Sequence, residues 1–139
     1  MSVVKIVILN WNGAEHLRRF LPSVVAAAPA GVGVVVADNG STDGSLAVLA
    51  EKFPTVAVVR LDRNYGFAGG YNRALAQVEA DYYLLLNSDV ETPAGWLGPI
   101  LDCLNANPDV AVAAPKLISC ADRTEFEYAG AAGGFIDYL

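Results

Sequence analysis

Runs of apolar, β-branched residues alternate along the chain with stretches in which apolar residues recur at helical spacing. The first pattern predicts strands buried on both faces of a parallel sheet, and the second predicts amphipathic helices. The predicted strands are 3–9, 32–37, 56–61, 82–86 and 110–114, and the predicted helices are 17–28, 45–53, 71–78 and 94–105. Strands that alternate with helices in this way predict an α/β fold, a doubly wound and mostly parallel sheet with helices on both faces.

Two prolines bear on the predicted helices. Pro22 lies inside the first helix and predicts a kink or a split there, because proline lacks a backbone donor and crowds the preceding turn. Thr92 followed by Pro93 resembles an N-cap with proline at the first helical position, so we expect the fourth helix to begin there.

Three of the predicted strands are followed by polar clusters. These clusters are Asn10, Trp11 and Asn12 after the first strand, Asp38 and Asn39 after the second, and Asn87, Ser88 and Asp89 after the fourth. The carboxyl ends of parallel strands meet at one edge of a sheet, and ligands of doubly wound folds bind outside that edge. The sequence therefore predicts a ligand site built from these clusters.

Composition narrows the class of ligand. Hydrophobic residues make up 54% of the chain and charged residues 17%, which favours a folded domain. The net charge of −6 has the wrong sign for binding nucleic acid. An acidic protein that binds an anion needs a cation or backbone N–H groups between the charges, so we expect a divalent cation.

The cysteines and the hydropathy of the chain bear on its location. Cys103 and Cys120 form neither a disulfide framework nor a metal-binding spacing, which favours a reduced, cytoplasmic setting. The amino terminus lacks the apolar region of a signal peptide, and no run approaches the ~20 apolar residues of a membrane span. We therefore expect no transmembrane segment.

Two carboxylates at the polar edge each have two interpretations. Asp89, with Glu91 close behind it, could present oxygen to a hard cation shared with a diphosphate, or it could cap the turn before Pro93. Asp38 could accept from a base imide or a ribose hydroxyl, or it could stabilise an Asx-turn at Asn39. Both interpretations stay open on the residues alone.

The stretch Asn64–Asn72 also allows two uses. Gly66, Gly69 and Gly70 stand where a helix begins, so they could expose N–H groups to an anion or could let the helix pack closely on the sheet. The GxGxxG order of dinucleotide-binding enzymes is absent, which disfavours an oxidoreductase. Trp11 could stack on a ligand or pack at the edge, and His16, the single histidine, receives no role.

Taken together, five segments resemble the family 2 glycosyltransferases, particularly their rhamnosyltransferase-like branch. They are VKIVILNWNG, VVVADNGSTDGS, NYGFAGGYNRAL, YYLLLNSDVE and AGAAGGFIDYL. The resemblance covers nearly the whole chain, and its specificity comes from the order and spacing of the five segments. It implies a GT-A fold for residues 1–139 as a nucleotide-sugar-binding domain.

The resemblance also implies roles for individual residues. Asp38 is expected to contact the nucleotide base, and Asn64 to Asn72 to shape the donor pocket. The segment Asn87-Ser88-Asp89 takes the place of the family's DxD motif. Asn87 is a neutral amide where many members have a carboxylate, so contact with a manganese or magnesium ion is expected mainly from Asp89.

The activity implied by the resemblance is transfer of a sugar from a nucleoside diphosphate to an acceptor hydroxyl, with inversion. dTDP-rhamnose is the first expectation for the donor, and a UDP-sugar the second. The acceptor is expected to be a glycan or lipid-linked molecule of cell-surface polysaccharide synthesis, which would place the protein in the cytoplasm or peripherally at the inner membrane face. The family's catalytic base lies in the acceptor-binding half, which we expect beyond Leu139. The oligomeric state stays open.

Three other classes of protein are alternatives to a glycosyltransferase. A sugar-phosphate nucleotidyltransferase should carry a glycine-rich segment with Arg or Lys after the first strand, and a receiver domain should carry an acidic pair there; Asn10-Trp11-Asn12-Gly13 fits neither. A module that binds a nucleotide without activity in this chain stays open. A non-catalytic interaction module also stays open, and absence of any nucleotide binding would favour it.

Overall fold

The computed structural model describes residues 2–127, which form two compact units divided between Ala94 and Gly95. The glycine-rich segment and the last apolar run, 130–139, lie outside the described residues. In the first unit the elements are β1 (Val4–Asn10), α1 (Ala14–Ala27), β2 (Gly33–Asn39), α2 (Ser45–Lys52), β3 (Ala57–Leu61), α3 (Gly66–Leu75) and β4 (Tyr82–Asn87). The second unit contains α4 (Gly98–Ala106) and an antiparallel bridge between Ile118 and Phe126.

The four strands form one parallel sheet in the order β3-β2-β1-β4. The chain steps outward from β1 to β2 and β3, and then crosses back through α3 to place β4 on the other side of β1. Because such crossovers are right-handed, α1 and α2 cover one face of the sheet and α3 covers the other. The direction of winding therefore reverses between β1 and β4, and the predicted α/β fold is confirmed.

Alternation along the strands divides the core between the two faces. Val7, Val35 and Ala37 pack with Tyr71 and Ala74 of α3. The neighbouring strand residues point the opposite way because successive side chains alternate across a strand. On that face the buried residues of strands and helices are Ile6, Ile8, Val36, Leu17, Leu21, Val24, Val48 and Leu49. Burial on both faces of β1 and β2 explains their continuous apolar sequence.

The structure corrects several predicted elements. No strand forms at 110–114, and Val112 is 82% exposed. The fourth helix begins at Gly98 after a turn at 94–97, so Thr92 is not its N-cap. Helix α1 continues through Pro22 without a split, and Ser23 Oγ donates to the Phe20 carbonyl at 2.8 Å.

Two further corrections concern the polar edge. The clusters stand at the predicted carboxyl ends of the strands, but each strand extends further than predicted, since β1 ends at Asn10, β2 at Asn39 and β4 at Asn87. The third helix begins at Gly66, so the three glycines of the stretch lie inside α3. No helix among residues 2–127 is both long and apolar enough to cross a membrane.

Candidate functional site

A cleft with a volume of about 440 Å³ lies at the carboxyl edge of the sheet, where the winding reverses between β1 and β4. Its lining residues are Leu9, Trp11, His16, Asn39, Asn64, Gly66, Phe67, Asn87, Ser88 and Asp89. This is the place where doubly wound folds bind their ligands. All of these residues belong to the first unit.

The cleft brings together about half of the predicted site residues. Those that line it are Trp11, Asn39, Asn64, Gly66, Asn87, Ser88 and Asp89, and those that do not are Asn10, Asn12, Asp38, Gly69, Gly70 and Asn72. In the second group, Asn10 and Asp38 are buried at the strand ends, Asn12 lies in the turn after β1, and Gly69, Gly70 and Asn72 lie on α3. The clusters predicted from the strand ends therefore divide into residues that face the cleft and residues that support it.

Asp38 is at the centre of the supporting group and is only 2% exposed. Its Oδ1 accepts from Asn10 Nδ2 at 3.3 Å, and its Oδ2 accepts from the Ser41 N–H at 3.0 Å. Asn10 is fully buried, and its Nδ2 also donates to Ser41 Oγ at 3.2 Å. Because a buried carboxylate is costly without partners, these bonds explain how Asp38 is accommodated at the strand end.

A second set of bonds joins the turn after β1 to the turn after β2. Asn12 Oδ1 accepts from the Thr42 N–H at 2.8 Å and from the Asp43 N–H at 3.3 Å. In return, Asp43 Oδ2 accepts from the Ala14 N–H at 3.0 Å and its Oδ1 accepts from the Ser45 N–H at 2.9 Å. Asn12 has a φ of 50°, in the left-handed region that asparagine tolerates better than most residues.

The pKa of Asp43 reflects these bonds. Desolvation alone would raise the pKa, but hydrogen bonding with the Ser45 side chain and with the backbone of Ala14 and Ser45 favours the charged form, and the pKa lies below its ordinary value. A carboxylate beside the amino termini of α1 and α2 is also favoured by the helix dipoles. Asp43 is therefore ionised at neutral pH.

Asn39 links the cleft to the beginning of α3. Its Nδ2 donates to Asn64 Oδ1 and to the Gly66 carbonyl, both at 3.0 Å, and its Oδ1 accepts from the Tyr65 N–H at 3.0 Å. The Gly66 N–H donates to Asn64 Oδ1 at 2.8 Å. The Tyr65 and Gly66 N–H groups at the start of α3 are therefore bonded within the protein and are not free to bind an anion.

Gly70 lies where α3 approaches the sheet most closely. A Cβ on Gly70 would stand 2.9 Å from Asn39 Nδ2 and 2.9 Å from Leu9 Cδ1. Both distances are too short for a side chain, so glycine at this position allows the helix to pack against the two strand ends. The geometry favours close packing over anion binding for Gly70.

Asp89 offers the candidate cation ligand. It is exposed in the wall of the cleft, beside the hydroxyl of Ser88 and the amide of Asn87. Among the residues that the structure describes, no three His, Cys, Asp or Glu side chains are grouped closely enough to hold a metal ion by themselves. A cation here would therefore need oxygen atoms from water and from a ligand as well.

Two cleft residues, Leu9 and His16, lie outside the predicted site residues. His16 enters from the first turn of α1, shortly after the predicted edge turn, but its helical spacing alone indicates an ordinary amphipathic face. Phe67 belongs to the predicted stretch Asn64–Asn72 and enters from the first turn of α3, with 67% of its surface exposed.

The sequence model of the family described as Glycosyl transferase family 2 matches residues 5–131. The chain is similar to N-acetylglucosaminyl-diphospho-decaprenol L-rhamnosyltransferase of Mycobacterium tuberculosis, with 29% identity over 127 residues that cover 84% of this chain and 41% of that protein. It is similar to pre-mycofactocin glycosyltransferase of the same organism, with 31% identity over 123 residues, 86% of this chain and 24% of that protein. The chain thus spans less than half the length of these relatives.

Solved structures share the fold. TarS of S. aureus, residues 1–349, superposes with a TM-score of 0.65 at 24% identity over 76% of this chain and 33% of that one, and it has been solved with UDP and with UDP-GlcNAc. The mannosyltransferase PcManGT of Pyrobaculum calidifontis, solved with GDP-Man and Mn²⁺, gives a TM-score of 0.58 at 23% identity over 69% of this chain and 32% of that one. These likenesses confirm the predicted GT-A fold.

Proposed function

The chain belongs to glycosyl transferase family 2, and from this membership we propose that it forms the donor-binding part of an enzyme that transfers a sugar from a nucleoside diphosphate to an acceptor hydroxyl. The observation that carries the proposal is the cleft at the winding reversal. It combines an exposed indole, amide groups and one carboxylate within a single concave surface.

The aromatic residues of the cleft suit a planar base. Trp11 is 55% exposed, and Phe67 is 67% exposed. Rings that remain so open in a folded protein present apolar faces on which a base can stack. We place the base against Trp11 and assign Phe67 to the same cleft. Each Asp38 oxygen accepts one hydrogen bond within the protein and can accept a second, so we assign Asp38 a hydrogen bond from a polar group of the base or the ribose.

The opposite wall is suited to the diphosphate and a divalent cation. Mg²⁺ commonly takes one or two protein carboxylates, several waters and the phosphates of its substrate. Asp89, with Ser88 and Asn87 beside it, provides a ligand set of that kind. A manganese or magnesium ion held there would neutralise charge on the departing nucleoside diphosphate.

The chemistry proposed is an in-line displacement. The acceptor oxygen forms a bond to the anomeric carbon as the bond to the diphosphate breaks, so the configuration inverts, and the acceptor proton passes to a general base. We assign no catalytic base within residues 2–127.

The donor and the acceptor follow from resemblance alone. The rhamnosyltransferase similarity favours dTDP-rhamnose, with a UDP-sugar as the second candidate, and a lipid-linked glycan as the acceptor. Such an acceptor would bring a cytoplasmic enzyme to the inner face of the membrane.

The test is isothermal titration of UDP, dTDP, GDP and ADP into the 139-residue chain, with and without Mn²⁺. We expect UDP or dTDP to bind, with higher affinity when Mn²⁺ is present. Asp89→Asn should remove the effect of the metal, Trp11→Ala should weaken binding in both conditions, and Glu51→Gln on α2 serves as the control. Failure of every nucleotide to bind would favour a module without this function.

A further inference from the structure

Hydrogen bonds between side chains and backbone join the turn after β1, which contains Trp11, to the turn after β2. We call the reciprocal bonds of Asn12 and Asp43 the turn clasp: Asn12 Oδ1 holds the Thr42 and Asp43 N–H groups, and Asp43 holds the Ala14 and Ser45 N–H groups. Each turn thus contributes a side-chain oxygen that accepts hydrogen bonds from the backbone of the other turn. Neither Asn12 nor Asp43 lines the cleft.

The clasp fixes the backbone on both sides of Trp11. On one side, Asn10 is fully buried and its amide is bonded to Asp38 and Ser41. On the other, the Asn12 N–H donates to Ser41 Oγ at 2.9 Å. Trp11 therefore stands between two anchored residues, while its own side chain is 55% exposed in the wall of the cleft.

The backbone conformation of Asn12 indicates that its side-chain oxygen has a role of its own at this position. Within residues 2–127, Asn12 is the sole non-glycine residue with positive φ. A glycine would adopt φ 50° with less strain, but it would have no oxygen to offer to the next turn. Asparagine accepts the left-handed conformation and supplies that oxygen.

We propose that Asn12 and Asp43 are positioning residues for nucleotide recognition, which hold the Trp11 indole in the orientation that the base requires. The inference rests on the proposed function, since it needs a base in the cleft. An aromatic side chain on a fixed backbone has less conformational entropy to lose when a ligand stacks on it. If the clasp opens, only a fraction of molecules present the indole correctly, and the apparent affinity falls by that fraction.

The test compares Asn12→Gly and Asp43→Asn with Glu51→Gln, all in a Trp96→Phe background that leaves Trp11 as the single tryptophan. Asn12→Gly keeps the backbone conformation accessible and removes the clasp oxygen. Asp43→Asn keeps the size of the side chain and removes one acceptor oxygen. Glu51→Gln makes the same charge change on α2, outside the clasp.

Two measurements are made on each variant: fluorescence anisotropy with acrylamide quenching of Trp11 without ligand, and titration with UDP and dTDP. We expect both clasp variants to lower the anisotropy and to weaken binding by about five- to tenfold. The UDP to dTDP preference should not change, because neither residue faces the base. The double variant should lose little beyond the larger single loss, since both residues act through one clasp.

Wild-type anisotropy and wild-type affinity in a folded Asn12→Gly variant would overturn the inference and reduce the clasp to a structural role. If Asn12→Gly folds poorly, Asp43→Asn decides the question by the same two measurements. If the parent chain binds neither UDP nor dTDP, the proposed function fails. The anisotropy then still tests whether the clasp holds Trp11, and an unchanged value would overturn that part as well.

Discussion

Asp43 caps two helices with one carboxylate, and its replacement by alanine should destabilise the first unit measurably. The N-cap residues of α1 and α2 are Gly13 and Gly44, which have no side chain to accept from the exposed N–H groups. Asp43 accepts instead, from Ala14 at 3.0 Å and from Ser45 at 2.9 Å. Asp43→Ala removes the acceptor from both of these buried residues.

The size of the effect follows from known capping energies. Loss of one side-chain cap costs about 1 kcal/mol, so loss of two should lower the free energy of unfolding by about 2 kcal/mol. With a urea dependence of about 2 kcal/mol per molar for a unit of this size, the unfolding midpoint should fall by about 1 M. The helix-dipole attraction is part of the same measured cap energies and is not added separately.

The same carboxylate gives the effect a defined pH dependence. Hydrogen bonds outweigh desolvation and lower the pKa of Asp43 in the folded state. A group whose folded pKa is depressed contributes stability above its unfolded pKa and loses it as the pH falls through the folded pKa. The difference between wild type and Asp43→Ala should therefore be complete at neutral pH and shrink below about pH 4.

The assay is urea unfolding followed by circular dichroism at neutral pH and at several acidic values, with Glu51→Ala as the matched control. Glu51 lies on α2, where it is exposed and outside the clasp. A midpoint for Asp43→Ala that equals the control would refute the double-cap argument. A difference that stays constant as Asp43 is protonated would refute the assignment of the effect to its charge.

Two further predictions concern the packing around the site. Gly40 has a φ of 72°, and a Cβ there would lie 2.5 Å from Arg63 Cα, so Gly40→Ala should destabilise the first unit by about 1–3 kcal/mol in the same unfolding assay. Tyr71 donates its hydroxyl to the buried Leu86 carbonyl at 3.0 Å. Tyr71→Phe should therefore cost about 1 kcal/mol, and because burial raises the pKa of Tyr71, the loss should be constant from neutral pH to about pH 9.

The central strands β1 and β2 could be predicted because burial on both faces leaves a continuous apolar sequence. The edge strands β3 and β4 also carry apolar runs, but Val58 and Leu85 are exposed, so the prediction that both faces are buried is wrong for them. Residues 110–114 have a similar sequence but form no strand, and Val112 is largely exposed. A strand is stabilised by pairing with a neighbouring strand, and the hydrophobic pattern of a segment does not show whether such a neighbour is present. Helix boundaries failed for a related reason, since Gly66 and Gly98 begin helices that propensity alone places elsewhere.

The place of the site could also be predicted, because the carboxyl ends of parallel strands must share one edge. The direction in which each side chain points could not. Asp38 and Asn12 turn toward neighbouring turns, whereas His16 and Phe67 turn into the cleft. These choices depend on hydrogen bonds between segments about thirty residues apart, which no local pattern encodes.

Burial then separates the polar residues of the edge into two physical roles. Asn10, Asp38 and Asn39 are at most 2% exposed, and the hydrogen bonds that the Asn10 Nδ2, the Asp38 carboxylate and the Asn39 amide make within the protein fix the geometry of the turns. Trp11 and Asp89 remain exposed in the cleft and are available to a ligand. Changes at Asn10, which does not line the cleft, should therefore weaken all nucleotides alike through the shape of the turns, whereas changes at Trp11 or Asp89 should alter nucleotide preference or metal dependence. The two roles become distinguishable by titration even where their effects on affinity are equal.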